Sequence, residues 1–123
     1  MDEKNVKAEY RRLISILKKA EVPQQIIEAL KPLLDNLAWQ RIKLDETRDA
    51  IRSSSVAIPY DNGGNQKGIR ENPLFKGYES LWKAYMAGLE KFTSYLPKDV
   101  AEETTSATIS MIEQVKAMKK AKA

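Results

Sequence analysis

The feature that most constrains the fold is a stripe of large apolar residues in residues 73–96. Its members follow one another at intervals of three and four residues: Phe75, Tyr78, Trp82, Tyr85, Leu89, Phe92 and Leu96. Five of the nine aromatic residues of the chain lie on this stripe, and an α-helix would present all of them on one face. Asn72 is a suitable N-cap, and Pro73 suits the first helical position. We therefore predict a helix over residues 73–96 that must bury one face.

A second long helix is predicted over residues 33–53, where a heptad seam carries two arginines in core-type positions. Arg41 precedes Asp45 by four residues, a spacing that allows an ion pair on the helix surface. In the alternative interpretation, Arg41 and Arg48 face a partner helix and fix its register. We expect this helix and the aromatic helix to fold back on each other as an antiparallel hairpin.

Shorter helices are predicted on both sides of the hairpin. Residues 4–20 have the apolar spacing of an amphipathic helix, a short helix follows Pro23, and Pro32 kinks the chain or restarts the helix. Residues 98–120 form a last helix. The predicted fold class is all-α, with an N-terminal helical region at 1–31, a hairpin of two long helices at 32–97, and a C-terminal helix with a basic tail at 98–123.

A short β-hairpin or an ordered loop is predicted at the tip of the helical hairpin. Residues 56–60 have strand-like composition, although Pro59 excludes a central ladder position. The following Asp-Asn-Gly-Gly sequence, residues 61–64, is typical of a turn with positive φ.

The aromatic stripe is too broad for two helices to bury alone, so a further helix or another subunit must cover it. We therefore expect the protein to be a homo-oligomer, which a measurement of its molecular mass in solution would test. The residues predicted to form its core are Leu34, Leu37, Arg41, Leu44, Arg48, Phe75, Tyr78, Trp82, Tyr85, Leu89 and Phe92.

Two absences from the sequence argue against an enzyme. The chain has no His and no Cys, which removes the usual general base, thiolate nucleophiles and Cys/His metal sites. The Gly-rich residues 62–68 lack the Gly-Lys-Ser/Thr order of a phosphate-binding loop. We predict no catalytic residue, no metal and no cofactor. The sequence also has no apolar run of transmembrane length and no signal peptide, so we expect a cytoplasmic protein without a membrane partner.

The residues between the long helices resemble a loop of the phage terminase small subunit family. In that family a tyrosine, an Asn-Gly pair, a Gln-x-Gly and an Asn-Pro join two helices. The matching residues here are Tyr60, Asn62, Gly63, Gln66, Gly68, Asn72 and Pro73. The resemblance implies an oligomer, often a ring, that recognises double-stranded viral DNA in the host cytoplasm. It also implies regulation of a large ATPase and nuclease subunit, for which the C-terminal helix is a docking candidate.

The net charge of +4 is concentrated towards the two ends of the chain, with residues 1–22 contributing +2 and residues 23–72 contributing none. The first helix and the start of the next one supply the candidate DNA-binding residues: Arg11, Arg12, Lys18, Lys19, Gln24 and Gln25. The cations suit a phosphate backbone, and the two glutamines suit base edges. The alternative function is that of a non-catalytic coiled-coil structural or adaptor protein that binds only protein.

Overall fold

Four helices make up most of the structure, which is a computed structural model describing residues 2–53, 57–61 and 67–122, with the side chains of 3–53 and 72–120. In chain order the elements are α1 (Asp2–Lys19), α2 (Gln24–Arg52), β1 (Ala57–Asp61), β2 (Lys67–Glu71), α3 (Pro73–Thr93) and α4 (Lys98–Lys122). This composition confirms the all-α class. Helix α2 packs against both α1 and α3, and α4 lies against α3 and α2.

The two short strands pair antiparallel between the long helices. Their register runs from Ala57 opposite Glu71 to Asp61 opposite Lys67, which places the backbone of Tyr60 opposite that of Gly68. The predicted turn, with the loop-motif residues Asn62, Gly63 and Gln66, lies outside the described residues. The β-hairpin or ordered loop therefore stays a prediction.

The connection between α1 and α2 is a tight turn with one residue in the left-handed region. Glu21 has a φ of 61°. Its N–H donates to the carbonyl of Lys18, and the N–H of Val22 donates to that of Leu17, each at 3.0 Å. These two bonds form a Schellman motif, which satisfies carbonyls that the helix end would otherwise leave free. The motif fixes the direction in which the chain leaves α1.

Pro32 neither ends nor restarts a helix, because α2 continues through it from Gln24 to Arg52. The predicted boundary between residues 31 and 32 therefore falls inside one helix. Pro32 lacks an N–H, so the carbonyl of Glu28 loses its helical donor. Both residues are exposed, and water can therefore replace the missing bond at low cost.

The start of α3 matches the sequence prediction, whereas its end does not. Asn72 Oδ1 accepts a hydrogen bond of 3.0 Å from the N–H of Leu74, and Pro73 is the first helical residue, so the predicted cap is confirmed. The helix ends at Thr93, three residues before the predicted end. The hydroxyl of Ser94 donates a hydrogen bond of 2.6 Å to the carbonyl of Lys91 at the end of the helix. In addition, Pro97 disfavours helical backbone at the residue before it.

Helices α2 and α3 approach closely and run in opposite directions. A Cβ built on Gly88, in the second half of α3, would lie 2.9 Å from Cδ2 of Leu37 in the middle of α2. Towards the end of α2, Arg48 faces Tyr78, which is near the start of α3. Because Gly88 has no Cβ, α2 and α3 can approach each other closely where Gly88 meets Leu37.

The aromatic stripe is buried within one chain. Tyr78 is 0% exposed and Tyr85 is 1% exposed, and Trp82 stacks on Tyr78 with the ring centroids 6.4 Å apart. Besides the core side chains of α2, the core contains side chains from α1 and α4: Leu13, Leu17, Met111, Ile112 and Val115. Of the two covers expected for the stripe, a further helix is the one observed. Self-association stays a prediction, but burial of the stripe no longer requires it.

The positive φ of Glu21 predicts that Glu21→Gly stabilises the protein. Relief of left-handed strain gains about 1–2 kcal/mol, and the greater freedom of glycine in the unfolded chain offsets about 0.4–1 kcal/mol of it. We expect the free energy of unfolding, measured by urea denaturation, to rise by roughly 0.5–1 kcal/mol. Glu21→Ala is the control, since it removes the carboxylate and keeps the strain. Equal stabilisation by both variants would contradict the backbone explanation.

The two glycines of α3 should respond oppositely to alanine. A Cβ on Gly77 meets nothing within 4 Å, so Gly77→Ala should gain about 1 kcal/mol of helix propensity. At Gly88 the new methyl group would press on the buried Leu37, and such overpacking costs about 1–3 kcal/mol. In denaturant titrations, we expect Gly88→Ala to be at least about 1 kcal/mol less stable than Gly77→Ala. Similar stabilities would show that the helices separate easily there.

Candidate nucleic-acid interface

The two sides of α1 differ sharply in chemistry. Leu13 and Leu17 are fully buried against the bundle, with Tyr10, Ile14 and Ile16 packed around them. This apolar side orients the helix, so the residues half a turn away face outward. The outward side is rich in cations.

Four exposed cations lie in a line along the outer side of α1. They are separated by three, four and seven residues, which places them on one helix face. We call this set the cation row: Lys4, Lys7, Arg11 and Lys18. Lys19 lies beside the row, where it lines a shallow groove with Arg11, Ile14, Ser15 and Lys18.

Most of the charge on this face is unpaired. Lys4, Arg11, Lys18 and Lys19 make no hydrogen bond or ion pair with any residue that the structure describes. Lys7 lies 3.6 Å from Glu3, and both side chains are more than 60% exposed, so the pair is weak and opens easily. An anionic partner could therefore contact the cation row by breaking only the weak ion pair between Lys7 and Glu3, as far as the described residues show.

Arg12 does not share this face. Its Nε donates to Glu9 Oε1 at 2.6 Å and its Nη2 to Oε2 at 2.8 Å. The hydrogen bond to Glu9 raises the pKa of Arg12, and partial burial opposes that rise. Arg12 lines a crevice between α1, α2 and α4 that Arg41 also lines. The structure thus brings together Arg11, Lys18 and Lys19 and separates Arg12 from them.

The two predicted base readers lie in the first turn of α2, beyond the turn at Glu21. Gln24 and Gln25 are exposed. The amide of Gln24 donates to Glu28 Oε1 at 2.9 Å. Exposed carboxylates of Glu21 and Glu28 flank the pair in sequence. This part of the surface is consequently less favourable to a polyanion than the cation row.

Lys4 and Lys7 belong to the cation row but are not among the candidate residues predicted from the sequence. Lys4, Arg11 and Lys18 are spaced by seven residues, and Lys7 precedes Arg11 by four. That repeat is visible in the sequence. Arg12 does not extend this repeat, because neighbours in a helix such as Arg11 and Arg12 point about 100° apart.

The predicted seam of α2 contains a polar layer in contact with α3. Asp45 Oδ1 accepts from Arg48 Nη2 at 3.0 Å and lies 3.4 Å from Arg41 Nε. Arg48 faces Tyr78 and Arg41 faces Tyr85. The arginines form ion pairs with Asp45 on their own helix and also face tyrosines of α3, while their role in fixing the register of the two helices stays a prediction.

Burial sets the protonation chemistry of this layer. It raises the pKa of Tyr78, opposed by the positive charge of Arg48, and it raises the pKa of Tyr85, opposed by that of Arg41. Tyr78 Oη and two nitrogens of Arg48 find no hydrogen-bond partner of good geometry among the described residues. The layer is therefore a costly one to bury, held in place by the apolar packing around it.

Two further observations concern metals and membranes. Among the described residues, no three acidic side chains come together as a cation site. Every helix in the described ranges is too short or too polar to span a bilayer.

The tyrosine environment predicts a loss of stability at alkaline pH. Because the folded-state pKa of Tyr78 and Tyr85 exceeds the usual value of about 10, their contribution is complete below pH about 10 and is lost as the pH rises through the folded-state pKa. Between pH 8 and pH 11, Tyr78→Phe and Tyr85→Phe should each lose less unfolding free energy than the wild type, by an amount of order 1 kcal/mol. Tyr95→Phe, at an exposed tyrosine, is the matched control. The prediction would be contradicted if Tyr78→Phe and Tyr85→Phe both lost as much unfolding free energy between pH 8 and pH 11 as the wild type.

Comparisons with known proteins identify no relative. No protein-family model matches the chain, no curated protein is similar to it, and no solved structure matches it. The resemblance carried by the loop motif therefore remains a prediction.

Proposed function

We propose that this chain is a non-catalytic, DNA-binding small subunit of a phage-type DNA-packaging terminase, acting in the host cytoplasm. The observation that carries the DNA-binding part is the cation row on α1, a line of exposed charges in which, among the described residues, only Lys7 has an ion-pair partner. Duplex DNA presents one negative charge per about 1.7 Å of its axis, so a protein gains affinity by replacing condensed counterions with such cations.

The loop motif supports the packaging part of the proposal. In this proposal the residues at the tip of the two long helices form a β-hairpin, and the helices form the hairpin of the terminase small subunit family. The backbone pairing of Tyr60 with Gly68 and the cap formed by Asn72 and Pro73 are consistent with a built connection. The strand pairing is the feature that a disordered linker would lack.

Assembly in this proposal uses the outer surface of the bundle. The stripe side chains are largely taken up inside the chain, which leaves outer faces and the ends of the helices for contacts between subunits. The C-terminal part of α4 carries Lys116, Lys119 and Lys120 and is the segment proposed to dock on the large subunit. A ring would present many copies of the cation row to one duplex and so multiply a weak single contact.

The alternative function, a protein-only adaptor, is favoured by one observation. Trp39 is 49% exposed on the outer side of α2, with Lys43 Nζ 5.8 Å from its ring centroid. Exposed tryptophans are frequent at the centres of protein interfaces. A protein partner on this face would not need the cation row.

Titration of a labelled 30-base-pair duplex tests the DNA-binding proposal. At about 50 mM salt the wild type should bind, and Arg11→Ala/Lys18→Ala should weaken binding by roughly 30- to 100-fold, because each lost phosphate contact is worth up to about tenfold. Arg12→Ala is the matched control, since it removes an arginine of the same helix that is engaged with Glu9. Circular dichroism verifies that each variant is folded.

Two results would count against this proposal. Absence of binding by the wild type at about 50 mM salt would leave the protein-only adaptor as the better reading. An equal loss in Arg12→Ala would mean that general charge matters rather than the face of α1. Light scattering on the same samples reports whether the bound species is an oligomer, as the packaging role requires.

A further inference from the structure

We infer that α1 binds duplex DNA by following the phosphate backbone, without reading the base sequence. This inference rests on the proposed function and specifies its ligand as duplex DNA of any sequence. It concerns how the cation row meets the duplex, and it can fail while DNA binding itself stands.

The spacing of the cation row fits a backbone. Lys4, Arg11 and Lys18 are each seven residues apart, which in an α-helix is a step of about 10.5 Å. Duplex DNA carries one negative charge per about 1.7 Å of its axis when both strands are counted, so a line of cations meets phosphates in any register along the duplex. Lys7 lies between the first two. One face of a single helix therefore carries four cations over about 21 Å, arranged along a line rather than in a cluster.

The chemistry between the cations offers little to base edges. Ile14 and Ser15 occupy the gap between Arg11 and Lys18, and the row contains no amide or carboxylate side chain. Readout of adenine uses Asn or Gln, and readout of cytosine uses Glu or Asp. Gln24 and Gln25 belong to a different helix, and Gln24 is already bound to Glu28. The arginine and the lysines of the row can donate to guanine O6 and N7, so the G·C-rich duplex in the test below is the one that would reveal readout by the row.

The packing of α1 favours a duplex over a lipid surface as the polyanion. A basic amphipathic helix binds a membrane by inserting its apolar face among the acyl chains. Here that face is committed to the protein core, because Leu13 and Leu17 are fully buried. The cations remain exposed, and the apolar anchor is not available.

The test combines salt titration with duplexes of different sequence, using the full-length protein. The probes are three 30-base-pair duplexes: one of mixed sequence, one of only A·T pairs and one rich in G·C pairs. We expect the three dissociation constants to agree within about threefold. The log–log slope of affinity against salt should fall by about 0.9 in Lys4→Ala, in Arg11→Ala and in Lys18→Ala, and should not change in Arg12→Ala.

Three outcomes would overturn the inference in different ways. A preference of tenfold or more for one duplex, lost in Gln25→Ala or Arg11→Ala, would show base readout, with the proposed function intact. Binding to vesicles of anionic lipid as tight as to duplex would show that the row recognises any polyanionic surface. Absence of binding to all three duplexes at about 50 mM salt would remove both the inference and the DNA-binding part of the proposed function.

Discussion

The structure depends on burying the aromatic side of α3. This one helix carries Tyr78, Tyr85, Phe75 and Phe92, all at or below 1% exposure, and the other three helices are arranged around them. Burial of each large side chain contributes about 1.5–3 kcal/mol, and this gain opposes the cost of the polar layer that α2 brings to the same interface. Arg41 and Arg48 are seven residues apart, as are the tyrosines that they face. That equality favours one register of α2 on α3 over a shift by a helical turn.

Much of this fold could be predicted because it follows from spacing within single helices. The stripe of α3 and the cap at Asn72 are local features, and periodicity and capping preferences are local rules. The helix boundary predicted at Pro32 was wrong because the effect of a proline inside a helix depends on whether water can reach the carbonyl that loses its donor. Pro32 lies inside α2 because the carbonyl it deprives of a donor is exposed, and a sequence does not show which side of a helix will meet water. How the stripe is covered was left open for the same reason, since it depends on where α1 and α4 pack.

The arrangement of the candidate interface was predicted less well, because it depends on the direction in which each side chain points around the axis of α1. Charge by segment pointed to the first helix as the candidate region, and the structure places Arg11, Lys18 and Lys19 around one shallow groove. Arg12 was grouped with them although it points towards α2 and binds Glu9. Whether Arg12 is free or paired depends on Glu9, three residues before it. An ion pair of this spacing on a helix surface contributes little stability by itself, so the sequence does not predict that it forms. It forms firmly here because Glu9 is almost buried, with 10% of its side chain exposed.

The pairing of Arg12 with Glu9 also has a kinetic consequence. With the charge of Arg12 compensated by Glu9 on one flank of α1, the exposed cations of this helix that have no ion pair among the described residues are Lys4, Arg11, Lys18 and Lys19. A polyanion diffusing towards such a surface is turned before contact, so more of the collisions occur in an orientation that can bind. Glu9 would thus govern how fast a complex forms while touching nothing in it.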